Sequence, residues 1–253
     1  MKKILLILVL FFLVTSFKSD TENPVKSGER LVYSGSYNMS GLLTQIAQVN
    51  MTTEKVTTAK NNYLHFSCSL ATYSKWDSFF KIRDLYESYV NPISLKPSLY
   101  KRNINEGGFI KKEKYVIKGS KVNSTVSFKN NQETQNSFTI GTNTVDVITF
   151  LYQMRTVNFV NFKVGQTKSF TIVFDEKEMD ISLKYMGKET INAGNLGKKE
   201  CYKVSIAAKT AALKGKDKNI IWLTADEHKI PALIQFSIPV GVGNLTLKSA
   251  TGI

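Results

Sequence analysis

Met179-Asp180-Ile181-Ser182-Leu183-Lys184-Tyr185 puts an apolar side chain at every second position and a polar one between. A strand turns successive side chains to opposite faces, so this alternation predicts a strand with one buried and one wet face. The same period recurs along the chain. Val122, Ser124, Val126 and Phe128 oppose Lys121, Asn123, Thr125 and Ser127. Leu64, Phe66, Cys68 and Leu70 oppose His65 and Ser67. Leu31, Tyr33, Gly35 and Tyr37 alternate with Arg30, Val32 and Ser34, and the run Leu43 to Met51 follows a Ser40-Gly41 turn. Turn-forming clusters such as Lys60-Asn61-Asn62 and Asn130-Asn131 separate the runs. About a dozen strands on this template predict a large antiparallel meander. A sheet that wide must curl, so the expected fold is all-β and barrel-like.

The chain has 253 residues, 42% hydrophobic and 21% charged, which is globular composition. With 2 Cys and 2 His it is neither a disulfide scaffold nor a natural site for a His- or Cys-built metal centre. No metal or cofactor is expected. Lys2 and Lys3 precede the unbroken apolar run Ile4 to Val14, and small polar residues follow. That is a secretory leader over residues 1–19, too short to span a bilayer comfortably. Residues 20–253 are then one β-rich domain without a transmembrane helix, in a Gram-negative-type periplasm. The first cysteine is Cys68, far from any cleavage point, so no lipid attachment is expected.

Losing Lys2, Lys3 and Lys18 with the leader lowers the net charge from +14 to +11. Such a charge favours anionic envelope surfaces, lipid among them, and also guards strand edges. The lysines cluster at Lys111, Lys112 and Lys114 and at Lys214, Lys216 and Lys218. Nucleic acid is not an expected partner of an exported chain with no recognition motif. Oligomeric state has no signature in the sequence.

Two stretches break the alternation. Ser74 to Lys81 has room for one or two helical turns. Asn143 to Val157 predicts one packed α-helix: Thr142 to Thr144 offer cap chemistry, Asp146 sits in the first turn, and Val147, Phe150, Leu151 and Met154 recur at helical spacing. A helix over a curved sheet commonly bounds a pocket. Trp76, Phe79, Phe80, Phe150 and Leu151 are therefore the expected walls of a ligand cavity.

Catalytic chemistry finds little purchase. His65 alternates onto the polar face of its strand, and His228 lies in the turn Asp226-Glu227-His228-Lys229. No Gly-x-Ser-x-Gly elbow is present. Asp175, Glu176, Glu178 and Asp180 read as a solvated hairpin, since Lys177 interrupts them and no central glycine makes a calcium loop. Gly194-Asn195-Leu196-Gly197 and Gly241-Val242-Gly243 read as turns. Cys201 shares its face with Lys203 and Ser205, so it is expected as a separate free thiol.

A set of short pieces resembles the exported bacterial family known as domain of unknown function 3108. They are Gly28-Glu29-Arg30-Leu31-Val32-Tyr33, Phe80-Lys81-Ile82-Arg83-Asp84 leading to Glu87-Ser88-Tyr89, Leu95-Lys96-Pro97, Glu106-Gly107-Gly108, Val145-Asp146-Val147-Ile148 running to Tyr152-Gln153-Met154-Arg155, Gly187-Lys188-Glu189, and Ile221-Trp222-Leu223-Thr224-Ala225-Asp226 running to Ile230-Pro231. The resemblance implies an antiparallel barrel-like fold and an exported location. It implies no activity. Among the matching residues, Trp222 and Asp226 read as a strand entering a turn, and Pro231 as the start of the next strand, where no N–H is needed. Arg83 and Asp84 are expected to pair with Arg155 or Asp146 at the contact between sheet and helix. The reading that follows is a non-enzymatic exported protein that binds or carries an apolar or amphiphilic envelope ligand. The alternative is an assembly factor without a small-molecule ligand, and an outer-membrane barrel or a hydrolase is further off.

Overall fold

A computed structural model describes residues 23–39, 42–130, 132–208, 219–238 and 241–253. The expected leader, the Ser40-Gly41 turn, Asn131 and the lysines at 214, 216 and 218 lie outside the described residues.

Among the described residues one sheet contains every strand. Its first arm runs through β1 (Arg30–Met39), β2 (Leu42–Thr57), β3 (Asn62–Thr72), β4 (Arg83–Val90), β5 (Pro97–Glu106), β6 (Phe109–Lys118), β7 (Lys121–Phe128) and β8 (Glu133–Thr139). The second arm holds β9 (Val145–Asp146), β10 (Thr167–Phe174), β11 (Lys177–Asn192), β12 (Lys198–Ala208), β13 (Asn219–Thr224), β14 (Pro231–Ile238) and β15 (Gly241–Thr251). Within each arm neighbours in sequence are neighbours in space, and pairing of β1 with β15 joins the arms. All pairings are antiparallel except the two-residue contact of β9 with β10. This is the expected meander, with fifteen strands rather than about a dozen. Gly241-Val242-Gly243 is a correction: these residues are the first of β15, opposite Ile238, Ser237 and Phe236.

The sheet curls without closing, with β8 and β9 as its edges. Side chains bridge the arms instead of a ladder. The β10–β11 hairpin turns through Asp175 and Glu176, both at positive φ. That turn lies against β5, β6 and β7. Asp175 pairs with Arg102 and with Lys111 at 2.9 Å, while Glu176 accepts from Ser124 and its backbone N–H donates to Tyr115 Oη at 2.9 Å. Left-handed backbone at non-glycine residues costs about 1 kcal/mol or more each, and these contacts hold it in place. The acidic hairpin is therefore partly docked, which corrects its reading as solvated. Glu178, beside it, accepts from the Gly141 N–H at 2.7 Å and from Thr144.

The helix α1 spans Val147–Gln153, followed by a 3-10 turn at Met154–Thr156. It is shorter than the expected 143–157, because Val145 and Asp146 pair with β10. Asp146 is its N-cap rather than a first-turn residue, accepting from the Thr149 N–H at 2.8 Å. The helix is wedged between the arms. Ile148 and Tyr152 enter a core built largely from β1–β7, and Tyr152 stacks on Phe66 with centroids 3.9 Å apart. Phe150 and Met154 enter a second core with Ile181, Leu183, Val204 and Ile221, and Phe150 meets Phe170 edge-on. Burying each large ring contributes roughly 1.5–3 kcal/mol. The interior of the curl is thus filled by apolar side chains. An outer-membrane barrel needs a closed sheet and a polar interior. Among the described residues no helix is long and apolar enough to cross a membrane.

Candidate functional site

Four of the resemblance pieces, Gly28 to Tyr33, Leu95 to Pro97, the helix running to Arg155, and Thr224 to Pro231, come together at the end of the strands where β1 begins and β15 finishes, while Phe80 to Asp84 and Glu106 to Gly108 lie at the other end. Arg155 is their hub. Its Nη1 and Nη2 donate to Glu29 at 2.7 and 2.6 Å, Nη2 also donates to the Pro24 carbonyl at 3.1 Å, and Nε donates to the His228 carbonyl at 3.0 Å. Burial works against the guanidinium's charge, but the Glu29 carboxylate outweighs it and raises the pKa above its ordinary value. One side chain thereby ties the N-terminal segment, the helix end and the β13–β14 bend together.

That bend is built by its own side chains. Asp226 Oδ1 accepts from Thr224 Oγ1 at 2.7 Å and from the N–H groups of His228 and Lys229 at 3.2 and 3.1 Å. Thr224 Oγ1 in turn accepts from the Ile230 N–H at 2.8 Å. The Thr-Ala-Asp motif is thus a self-capped turn, and Pro231 opens β14 as expected. Trp222 lies elsewhere, its Nε1 donating to Glu189 at 3.0 Å with Lys203 over its ring.

Over this hub lies a cleft of about 950 Å³. Pro24, Leu95, Tyr202 and Ala225 give it apolar wall, with Ile93 and Val160 also in the lining. Lys26 and Lys229 give it cationic wall, His228 a polar ring, and Asp226 and Glu227 an acidic share. Burial, together with Arg155 nearby, pushes the Lys229 ammonium below its ordinary value, against the pull of Asp226. Gln153 holds the β4–β5 turn by donating to the Leu95 carbonyl at 3.2 Å.

The expected cavity walls are not brought together. Phe79 and Phe80 are 81% and 52% exposed on the β3–β4 connection, where Trp76 donates to the Gln45 carbonyl. Phe150 is buried in the second core, with Leu151 packed beside it. The helix fills the curl rather than roofing a hollow, so these five residues bound no common space. The expected pairing of Arg83 and Asp84 is also corrected. Arg83 pairs with Asp77 at 2.6 Å, and Asp84 accepts from the Asn105 N–H at 2.9 Å. Asp146 instead takes Ser88 at 2.7 Å and Thr149, and burial raises its pKa against those hydrogen bonds.

His65 contacts Glu87 at 2.9 Å and stacks on Tyr89, so it is half-buried rather than solvated. Neither histidine bonds a serine or cysteine side chain among the described residues. No cluster of three or more metal-ligating side chains occurs among them either. Cys68 and Cys201 are free thiols, and Cys201, expected beside polar residues, is fully buried in the first core.

Glu29 escaped sequence reasoning as a site residue, because its partner lies 126 residues away. Arg102 and Glu113 carried a usable signal. Each shares strand parity with apolar neighbours, Tyr100 and Ile104 in one case and Tyr115 and Ile117 in the other. The two charges stand opposite each other across β5 and β6 and pair at 2.6 Å.

Similarity to one solved structure supports the architecture. A β-barrel-like protein of the unknown-function family DUF1849 from Brucella abortus superposes with a TM-score of 0.54 at 8% identity, covering 88% of this chain and 96% of that one. A candidate lipoprotein from Parabacteroides distasonis gives a TM-score of 0.33 at 11% identity, over 89% and 96% of the two chains. A candidate exported protein from Bacteroides fragilis gives 0.31 at 8% identity, over 90% and 97%. No curated protein matches the chain. Residues 32–248 match the family described as protein of unknown function (DUF3108), and the chain belongs to that family.

Proposed function

We propose that this is an exported, non-catalytic protein that binds an amphiphilic cell-envelope molecule in the cleft above Arg155. The observation that carries the reading is the character of that cleft. It offers about 950 Å³, enough for a ligand of several hundred daltons, with apolar wall beside a charged one of two lysines and two carboxylates. Ile93 and Val160 at its lining are 94% and 72% exposed, an apolar surface that the described residues leave uncovered. Export rests on the sequence of residues 1–19, with its paired lysines and apolar run.

Native mass spectrometry of the exported chain against a denatured control tests the binding. An added mass of several hundred daltons, lost on denaturation and lost in Lys229→Glu with Val160→Ser, is the expected result. A bare mass for the chain recovered without detergent overturns it. N-terminal sequencing of the same sample tests export, with new termini expected after Ser16 or Ser19.

A second reading, an assembly factor without a small-molecule ligand, draws on the exposed aromatic side chains at the other end of the strands. Phe79 and Phe80 are the clearest of these.

A further inference from the structure

In a meander, alternate turns fall at the same end of the sheet. The β1–β2, β3–β4, β5–β6 and β7–β8 connections therefore share the end opposite the motif cleft. Each carries large apolar side chains in the open: Leu42 and Leu43, then Phe79 and Phe80, then Phe109, then Phe128. Neighbouring strands lie about 4.8 Å apart, so successive tips are about 10 Å apart and the row spans roughly 30 Å along the curled edge. Scattered exposed hydrophobes need no explanation, but an aligned row does.

The charge around the row is unbalanced. Lys75, Lys81, Arg83, Lys111, Lys112 and Lys129 accompany it, against Asp77, Glu106 and Glu133. Arg83 is paired with Asp77, and Lys111 with Glu113 and Asp175, which leaves Lys75, Lys81, Lys112 and Lys129 against Glu106 and Glu133. Lys75 sits over the Trp76 ring. Beside the row is a second cleft, about 380 Å³, lined by Arg83, Lys112 and Lys129 with Asn103, Asn105 and Ser127, and no carboxylate lines it. Cations, amides and a hydroxyl share this small space with the apolar Ile104, Ile110 and Phe128, and together with the exposed phenylalanines they match a phosphate headgroup joined to acyl chains.

We propose that this rim rests on an anionic phospholipid surface, with a headgroup phosphate between Lys112 and Lys129 in this cleft and Phe79, Phe80 and Phe109 among the acyl chains. Rim and motif cleft lie at opposite ends of the strands, so either can fail while the other stands.

Co-sedimentation with vesicles tests the proposal. The exported chain is mixed with vesicles of phosphatidylglycerol and phosphatidylcholine, or of phosphatidylcholine alone. Binding to the anionic vesicles, at least about tenfold stronger than to the neutral ones and weakened by salt, is expected. Phe79→Ser with Phe109→Ser lowers partitioning by at least about tenfold, and Lys112→Glu with Lys129→Glu removes the preference for anionic lipid. Brominated acyl chains quench Trp76 in the bound protein. The substituted side chains are exposed, and unchanged circular dichroism verifies the fold of each variant. Absence of vesicle binding, equal binding to neutral vesicles, or undiminished binding by both variants overturns the proposal. So does a dimer that dissolves on Phe79→Ser in place of vesicle binding, which would make the rim a contact between copies.

Discussion

Arg155 and Glu29 form a doubly bonded ion pair, each side chain 1% exposed, between the 3-10 turn that follows the helix and the residue before the first strand. Two carbonyls, of Pro24 and His228, complete the guanidinium's bonding. Removing one partner leaves the other charge buried and unpaired. Arg155→Leu is expected to cost roughly 3–5 kcal/mol in urea unfolding, and Glu29→Gln to destabilise in the same direction. Glu29→Leu combined with Arg155→Met recovers part of the loss, since no charge is stranded. Recovery stays incomplete because the two carbonyls still lack their donor. A double variant as unstable as the sum of the singles would show that the pair is not coupled.

The seam between the arms makes a pH prediction. Burial raises the Asp175 pKa, but Lys111 and Arg102 outweigh it and hold the carboxyl below the ordinary carboxylate range. A carboxylate depressed in the folded state adds stability above its unfolded value of about 4, and that stability is lost as pH falls through the folded value. Wild type should therefore exceed Asp175→Asn at pH 7 by about 1 kcal/mol or less, the carboxylate being half exposed. The difference shrinks below about pH 4. An advantage that persists undiminished at pH 2 would contradict the assignment.

Strand existence and meander order were legible because period-two alternation reports one thing, which face of a strand is dry. Met179 to Tyr185 falls within β11. The same signal explains what was missed. In Cys201-Tyr202-Lys203-Val204-Ser205 both faces of β12 are covered, with Cys201, Val204 and Ser205 all buried, so polar residues there do not mark a wet face. Helix length failed because Asp146 shows the same chemistry as cap or first-turn residue, and pairing of β9 with β10 decides between them. The motif cleft was legible as residues but not as a place. Glu29, Leu95, Gln153, Arg155 and Asp226 meet only because a meander with joined termini brings alternate turns to one end. Trp76 and Phe80 were read as cavity walls on the premise that a break in alternation faces inward, and this one faces solvent.

Gly194 offers a backbone test of the same end. It opens the β11–β12 connection at φ +61, and a Cβ there would lie 2.5 Å from the Lys248 carbonyl oxygen and 2.7 Å from that of Leu247. Asn195 beside it bonds the N–H and C=O of Ala250 at 2.8 and 3.0 Å. Gly194→Ala therefore meets both left-handed strain and backbone that sits in a ladder. A loss of about 2 kcal/mol or more is expected. Gly197→Ala on the same connection has positive φ but open space around its Cβ, so it isolates the strain and costs less. Equal losses would show that the close approach to β15 is immaterial.

Thiol chemistry gives the last prediction. Burial pushes both Cys68 and Cys201 up to about 12, with Asp84 adding to the first and Asp226 to the second. The thiolate is the reactive species, so near pH 8 only about one thiol in ten thousand would be ionised, against roughly a quarter for an ordinary cysteine. The folded protein should therefore resist a disulfide reagent, with labelling at least about a thousandfold slower than in urea. Two thiols should be released per chain once it is unfolded, since both are free. The same low reactivity would keep the thiols reduced in an oxidising compartment without a disulfide partner. Prompt, stoichiometric labelling of folded protein would place at least one sulfur at the surface. Release of no thiol in urea would instead mean that the two cysteines are bonded, in conflict with the packing around Cys201.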